Sequence, residues 1–162
     1  MEQNANVAEE QAVDTEIPAP VFSIEKTYVR DLSIEVPHAP EIFLAQEPPQ
    51  VNIELNTRAR FLGEGAYEVV LTVTVSAKHL DNQYFLVEVS QAGVFRILNV
   101  PAEQVEPLLA VACPNILFPF AREVISDAVS RAGFSPIILQ PVNFESMYAN
   151  RLEQVAAEGT LQ

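Results

Sequence analysis

Residues 66–78 read Ala-Tyr-Glu-Val-Val-Leu-Thr-Val-Thr-Val-Ser-Ala-Lys. Tyr67, Val69, Leu71, Val73 and Val75 fall on one parity, and Glu68, Thr72, Thr74, Ser76 and Lys78 on the other. A period of two over this length is a strand with one dry and one wet face. The alternation recurs on both sides. Residues 21–36 place Phe22, Ile24, Tyr28, Leu32, Ile34 and Val36 on the dry parity, and Lys26 and Arg30 interrupt it, which predicts a bend or bulge. Residues 51–61 give Val51, Ile53, Leu55 and Phe61, and residues 83–97 give Phe85, Val87 and Val89 against Tyr84, Leu86, Glu88 and Ser90. Gly63-Glu64-Gly65 and Asp81-Asn82 supply turns, and Pro37, Pro40 and Pro48-Pro49 bound a loop. Four consecutive half-wet strands predict an antiparallel meander.

The pattern then changes. Residues 102–131 lose alternation and carry helix formers, with Pro114 and Pro119 expected to break or kink the helix and Gly133 to cap it. Asn143 is placed to cap a last helix whose stripe is Phe144, Met147, Tyr148, Leu152 and Val155, fraying from Ala156. The expected fold is α+β: a four-stranded antiparallel sheet followed by two helices.

At 162 residues and 17.9 kDa the chain is one ordinary domain, and 49 % hydrophobic residues give it a real core. Its net charge of −13 repels nucleic acid and anionic lipid and steers in a basic partner. Cys113 alone can form no internal disulfide, which fits a reducing compartment. With no signal-like start and no run of about 18 apolar residues, the simplest reading is a cytoplasmic protein without a membrane span. Residues 1–20 carry Glu2, Glu9, Glu10, Asp14 and Glu16 with no Lys or Arg, which reads as a disordered acidic arm.

Three surfaces follow. In the long helix, Leu117, Phe118, Phe120, Val124 and Ile125 cannot all face one sheet, which implies a homo-oligomer interface; the alternative is a helix tucked under its own loops. The wet sheet face carries Glu25, Asp31, Glu35 and Glu88 with the apolar Leu86 among them, which suits a basic partner with one hydrophobic anchor, or is a plain solvated face. Phe22, Ile24, Tyr28, Phe43, Phe144, Met147 and Tyr148 would meet where strand one, its loop and the last helix join, as a lidded apolar groove or as ordinary core.

No catalytic constellation stands out. His38 and His79 share no local motif with Cys113, metal-ligand spacings do not occur, and five scattered glycines make no phosphate loop. The reading is a binder, neither an enzyme nor a holder of cofactor or metal.

The run Cys113-Pro114-Asn115-Ile116-Leu117-Phe118-Pro119-Phe120-Ala121-Arg122-Glu123 strongly resembles the signature of the SecB family of protein-export chaperones. Pro141-Val142-Asn143-Phe144, Tyr67-Glu68-Val69-Val70-Leu71 and Tyr28-Val29-Arg30-Asp31-Leu32-Ser33-Ile34-Glu35 also match, and the resemblance covers residues 21–158, leaving 159–162 as a frayed end. It implies a homotetramer, a dimer of dimers, in the bacterial cytoplasm. That assembly would hold unfolded precursor proteins and deliver them to the SecA motor for export, without nucleotide or metal of its own. Asp31, Glu35, Leu86 and Glu88 would dock SecA, whose basic tail carries the zinc. The helix after Pro114 would join dimers, and the groove under the loop and last helix would take clients. The rival reading is an acidic scaffold or inhibitor of one folded partner. Two departures from the family are a longer acidic arm and the loop Leu44-Ala45-Gln46-Glu47-Pro48-Pro49, which lacks the tryptophan frequent in relatives.

Overall fold

The alternating segments become β1 (Val21–Glu35), β2 (Gln50–Gly63), β3 (Ala66–His79) and β4 (Asn82–Leu98). They belong to a computed structural model that describes residues 16–160. The arm expected over residues 1–20 therefore lies outside the described residues for 1–15, and the frayed end does so for 161–162.

The sheet is antiparallel but is not a meander. Its order is β1-β4-β3-β2, a Greek-key order in which β1 pairs with β4 rather than with β2. Both ends of the β1–β2 connection lie at the β3–β4 turn end of the sheet, since Glu35 pairs with Leu86 and Gln50 with Lys78. That connection includes a 3-10 turn, Glu41–Leu44, which buries Ile42 in the core and packs Phe43 against Phe134 in a tilted pair with ring centres 5.2 Å apart. The Tyr84 hydroxyl ties it down by donating to the Glu47 carbonyl at 2.5 Å. Tyr84 is buried, against the wet parity read for it, because the β3–β4 register shifts between Ala77 and Lys78.

β1 contains the irregularity that Lys26 and Arg30 predict: its register against β4 shifts between Ile24 and Lys26 and again between Val29 and Asp31. Between the two shifts the faces exchange. Tyr28 is therefore opposite Ala92, on the face away from the helices, and Thr27 and Val29 take the helix-side positions.

The helices cover the other face. α1 (Ala102–Pro107), a π turn (Leu108–Ala112) and α2 (Cys113–Arg131) follow one another without interruption, so neither proline breaks the rod. Pro114 is interior to this rod and follows directly on the π turn, a local bulge of the kind that accommodates a proline's missing N–H and ring within a helix. The rod contains an 18-residue window of mean hydropathy 1.5, long and apolar enough to cross a membrane by composition, a run the sequence reading did not find. Here its inner side packs on the sheet. Leu117, Phe118, Ala121, Ile125 and Val129 join Leu71, Val73, Val87, Val89 and Phe95 in one core. Gly93 permits this approach, because a Cβ there would lie 3.1 Å from Leu117 Cδ2 and 2.8 Å from Phe95 Cε2.

α2 ends as expected. Gly133 has φ +95°, its N–H donates to the Ser130 carbonyl and that of Phe134 to the Val129 carbonyl, the two bonds of a Schellman cap. α3 (Phe144–Gly159) begins with Asn143 Oδ1 accepting from the Ser146 N–H at 2.9 Å, and it stays helical beyond the expected fraying point.

Candidate functional site

Three surfaces are left open by this fold. On the outer sheet face, β1, β4 and β3 align as rows. Glu35, Leu86 and Ser76 form one row, Ser33, Glu88 and Thr74 the next, and Asp31, Ser90 and Thr72 a third. Asp31, Glu35, Leu86 and Glu88 are thus brought together on one face. Glu88 is oriented by Thr74, whose hydroxyl donates to its carboxylate at 2.8 Å. Leu86 is half-buried and rims a shallow hollow with Asn52, Glu54 and Lys78. Glu25, read with this acidic set, is held apart from it near the far end of β1 by Arg96, whose hydrogen bond keeps its carboxyl below the usual carboxylate range.

The second surface lies along β2, the sheet edge opposite β1. Two pockets of about 280 and 340 Å³ meet at Leu55. The first runs between β2 and α3 and is lined by Leu109, Phe144, Met147 and Tyr148; the second takes Ile53, Phe118, Ile137, Ile138 and Val142. Phe118 and Phe144, edge to face at 6.0 Å, stand between them. α3 is lightly fastened over this trough. Only Phe144 on it is buried, while Met147, Leu152 and Val155 are each more than a third exposed. Arg151 lies over the Tyr148 ring at 5.6 Å and reaches the exposed Glu106 at 3.7 Å, a contact of little strength.

The expected groove residues do not converge. β1 and the last helix lie at opposite edges of the sheet, because β1 crosses over to pair with β4. Phe144, Met147 and Tyr148 line the β2 trough, but Phe22 and Ile24 are on the β1 flank and Tyr28 is on the outer face. Phe43 packs on Phe134 and against Gly133. Ile53, Leu55, Leu109, Ile137 and Ile138 were missed. Ile53 and Leu55 share the dry parity of their strand, and its place at the sheet edge leaves Ile53 exposed and Leu55 half-buried.

The third surface is the β1 flank on the helix side. Phe22, Ile24, Val29, Leu32 and Ile34 are each more than a third exposed there. The interface set expected on the long helix divides. Leu117, Phe118 and Ile125 are sealed in the protomer core, Val124 is half-buried, and Phe120 at 47 % is open. The sheet and α3 together absorb Leu117, Phe118 and Ile125, so of the five only Phe120 and Val124 stay open to a second contact.

Burial pushes the Cys113 thiol up to about 12, which makes it a poor nucleophile. Among the described residues no three of His, Cys, Asp and Glu gather in a group that could hold a metal ion.

The chain is similar to known proteins over most of its length. The family described as Preprotein translocase subunit SecB matches residues 15–155. The Protein-export protein SecB of Dechloromonas aromatica is 71 % identical over 137 residues, 85 % of this chain and 90 % of that one. That of Methylobacillus flagellatus is 58 % identical over 154 residues, 94 % of this chain and 98 % of its own. Among solved structures, a Mycobacterium tuberculosis SecB-like chaperone in complex with a ChAD peptide from an antitoxin shares the fold. Its TM-score is 0.63 at 16 % identity, over 75 % of this chain and 90 % of that chain.

Proposed function

The chain belongs to the SecB family of protein-export chaperones, and we propose that it works as a homotetramer, a dimer of dimers, that holds unfolded precursors in the β2 trough and presents them to SecA. The observation that carries the holding role is the trough itself. It is apolar, it is roofed by a lightly fastened helix, and it runs beside the outer edge of β2, which has no partner strand among the described residues. An extended chain offers such a site both things it can use: backbone groups for the open edge and side chains for the pockets. Burial of apolar area is non-directional at about 25 cal/mol per Å², so many sequences fit, and Met147 adapts to them. Several troughs on one assembly give avidity to weak contacts.

Self-association is supported by area left uncovered. Only 33 % of the apolar window in the α1–α2 rod is buried inside the protomer, and the β1 flank adds its own exposed apolar row. A second copy is the simplest cover. The SecA contact is assigned to Asp31, Glu35, Leu86 and Glu88, a half-buried leucine among carboxylates facing a basic tail that brings its own zinc. The acidic exterior keeps such an oligomer soluble in the bacterial cytoplasm. The work is binding and release, with no bond made or broken and no cofactor. A scaffold for one folded partner has no use for an open trough.

The test is refolding of a denatured substrate with stoichiometric chaperone. Slowed folding and suppressed aggregation are expected, together with a light-scattering mass about four times 17.9 kDa. Unchanged folding would overturn the holding role, and a monomer mass would overturn the assembly.

A further inference from the structure

The edge strand beside the trough has two faces of different chemistry. Ile53 and Leu55 pair with Val75 and Val73 and turn to the helix side, where Leu55 lines both trough pockets. Arg58 and Arg60 pair with Val70 and Glu68 and turn to the outer face. On β2 the first pocket is lined by residues 55–59. Two of these, Arg58 and Ala59, also line a hollow of about 410 Å³ with Arg30, Arg60, Glu68 and Val70. Trough and hollow are therefore contiguous over the edge strand.

The hollow holds an excess of positive charge. Glu68 is 6 % exposed and engaged by the Tyr28 hydroxyl, and one of its oxygens accepts from Arg30 at 2.5 Å and from Arg60 at 3.3 Å. Arg58 is exposed and has no carboxylate within ion-pair distance among the described residues. Three of the nine Lys and Arg residues in a chain of net charge −13 thus share one carboxylate. Lys26 ends the row of Glu68 on β1, but Glu25 stands next to it and is held by Arg96, so that end carries both signs and lies across β4 and β3 from β2. On the outer face of β2 the acidic residue is Glu54, four residues before Arg58 and about 13 Å from it along the strand. Glu64 lies past the strand, in the turn where its carbonyl accepts from Arg96, and Glu106 in the first pocket reaches Arg151 at 3.7 Å.

A chain added to the open edge of β2 alternates in step with it. Its side chains opposite Ile53 and Leu55 enter the trough, and those opposite Arg58 and Arg60 meet the guanidinium groups. Leu55 and Arg58 are an odd number of residues apart, about 10 Å along the strand, so one extended segment serves both faces without turning. We infer, resting on the holding role proposed for the trough, that its preferred clients are extended segments whose apolar pair is followed, three and five residues on, by carboxylates that seat on Arg58 and Arg60. The position opposite Glu54 takes a neutral or basic residue.

The test is fluorescence anisotropy of labelled octapeptides on the full chain. The first has Ile at its first and third positions, Glu at its sixth and eighth, and Ser or Thr elsewhere; the second has Gln for Glu. Each is made in both orders, since a strand adds parallel or antiparallel, and the tighter order is compared. At low salt the glutamate peptide is expected to bind about two- to tenfold tighter, the gain of two cross-strand ion pairs. That ratio should fall to about one in about 0.5 M salt, where the Debye length is well under 10 Å, and in Arg58→Gln/Arg60→Gln. It should fall likewise for a third peptide whose glutamates are moved one place, onto the trough side. Arg58→Gln alone breaks no ion pair and should lower the ratio even where the double variant does not fold. No preference for glutamate in the wild type overturns the inference, as does a preference that survives salt, the arginine variants or the one-place move. Leu55→Ala separates this from the holding role, because it should weaken both peptides alike. Glutamine-peptide binding that Leu55→Ala lowers, with no preference for glutamate, overturns the inference and keeps the holding role. Binding of neither peptide, or binding that Leu55→Ala leaves unchanged, overturns both.

Discussion

The Tyr28 hydroxyl on β1 donates to the Glu68 carboxylate on β3, reaching across the whole width of β4. The reach is possible because β4 places small Ala92 opposite Tyr28. Glu68 is among the few buried charged residues, and its hydrogen bonds from Tyr28 first, then Arg30 and Arg60, hold its carboxyl below the usual carboxylate range despite burial. Burial and the same hydrogen bond raise the Tyr28 hydroxyl above its ordinary value.

Tyr28→Phe removes one charge-assisted bond and leaves the arginines in place. It should cost about 1–3 kcal/mol, read as a lowered urea midpoint with unchanged slope at fixed protomer concentration. Because the folded pKa of Glu68 is depressed, its stabilisation is present above the unfolded carboxylate pKa and is lost as pH falls through the folded one. The stability gap between wild type and Glu68→Gln should therefore be constant near neutrality and close in acid. A gap that widens in acid would contradict the sign.

Gly93→Ala is expected to destabilise by about 1–3 kcal/mol, since overpacking cannot be relieved on any side. The new methyl would meet the Phe95 ring at 2.8 Å, Leu117 at 3.1 Å and the Lys26 carbonyl at 3.2 Å, pushing α2 off the sheet. Thermal melting checks it. Gly63→Ala meets no neighbour within 4 Å, but it is strained by φ +103° alone, so its cost separates backbone from packing.

Strand positions were legible because alternation is a local property: all four strands lie within about two residues of where period two ends. Pairing was not. Nothing in Phe22 or Ile34 says whether β2 or β4 is the neighbour, and the Pro-bounded loop from Pro37 to Pro49 is long enough to cross the sheet. The shared face of the acidic rows followed from parity because Asp31 and Glu35 lie beyond both β1 shifts, with Glu35 opposite Leu86 and Asp31 two rows from it. Tyr28 lies between the shifts, and a parity count carried through Lys26 and Arg30 puts it on the wrong face. The trough was half legible. The stripe of α3 showed Met147 and Tyr148, but their partner, Leu55, is revealed only by the strand order.

Glu88→Lys should weaken SecA binding roughly tenfold or more while leaving client holding and assembly mass unchanged, because a like charge would face a basic tail. Thr74→Val, which removes the hydroxyl that aims Glu88, should have a smaller effect of the same kind. Isothermal titration with SecA, run beside the refolding assay, reads both. Loss of binding and holding together would point to global disruption of the sheet.

Leu55→Ala should do the reverse. Leu55 is the residue both trough pockets share, half-buried on β2 opposite Val73, and it packs at the margin of the core rather than in it. Removing it widens the trough and takes away a contact that a client's apolar side chain would otherwise complete. A fully buried leucine is worth about 1.5–3 kcal/mol, so client affinity should fall by about tenfold or somewhat more, read by fluorescence anisotropy of a labelled unfolded substrate. Stability should fall less than for Ile125→Ala, which opens a cavity in the sealed core and costs about 2–5 kcal/mol. SecA titration should be unchanged, since Leu55 and Leu86 lie on opposite faces of the sheet. Full client affinity in Leu55→Ala, with the assembly mass intact, would move the holding site off the β2 edge and leave the uncovered β1 flank as the surface where clients compete with a second copy.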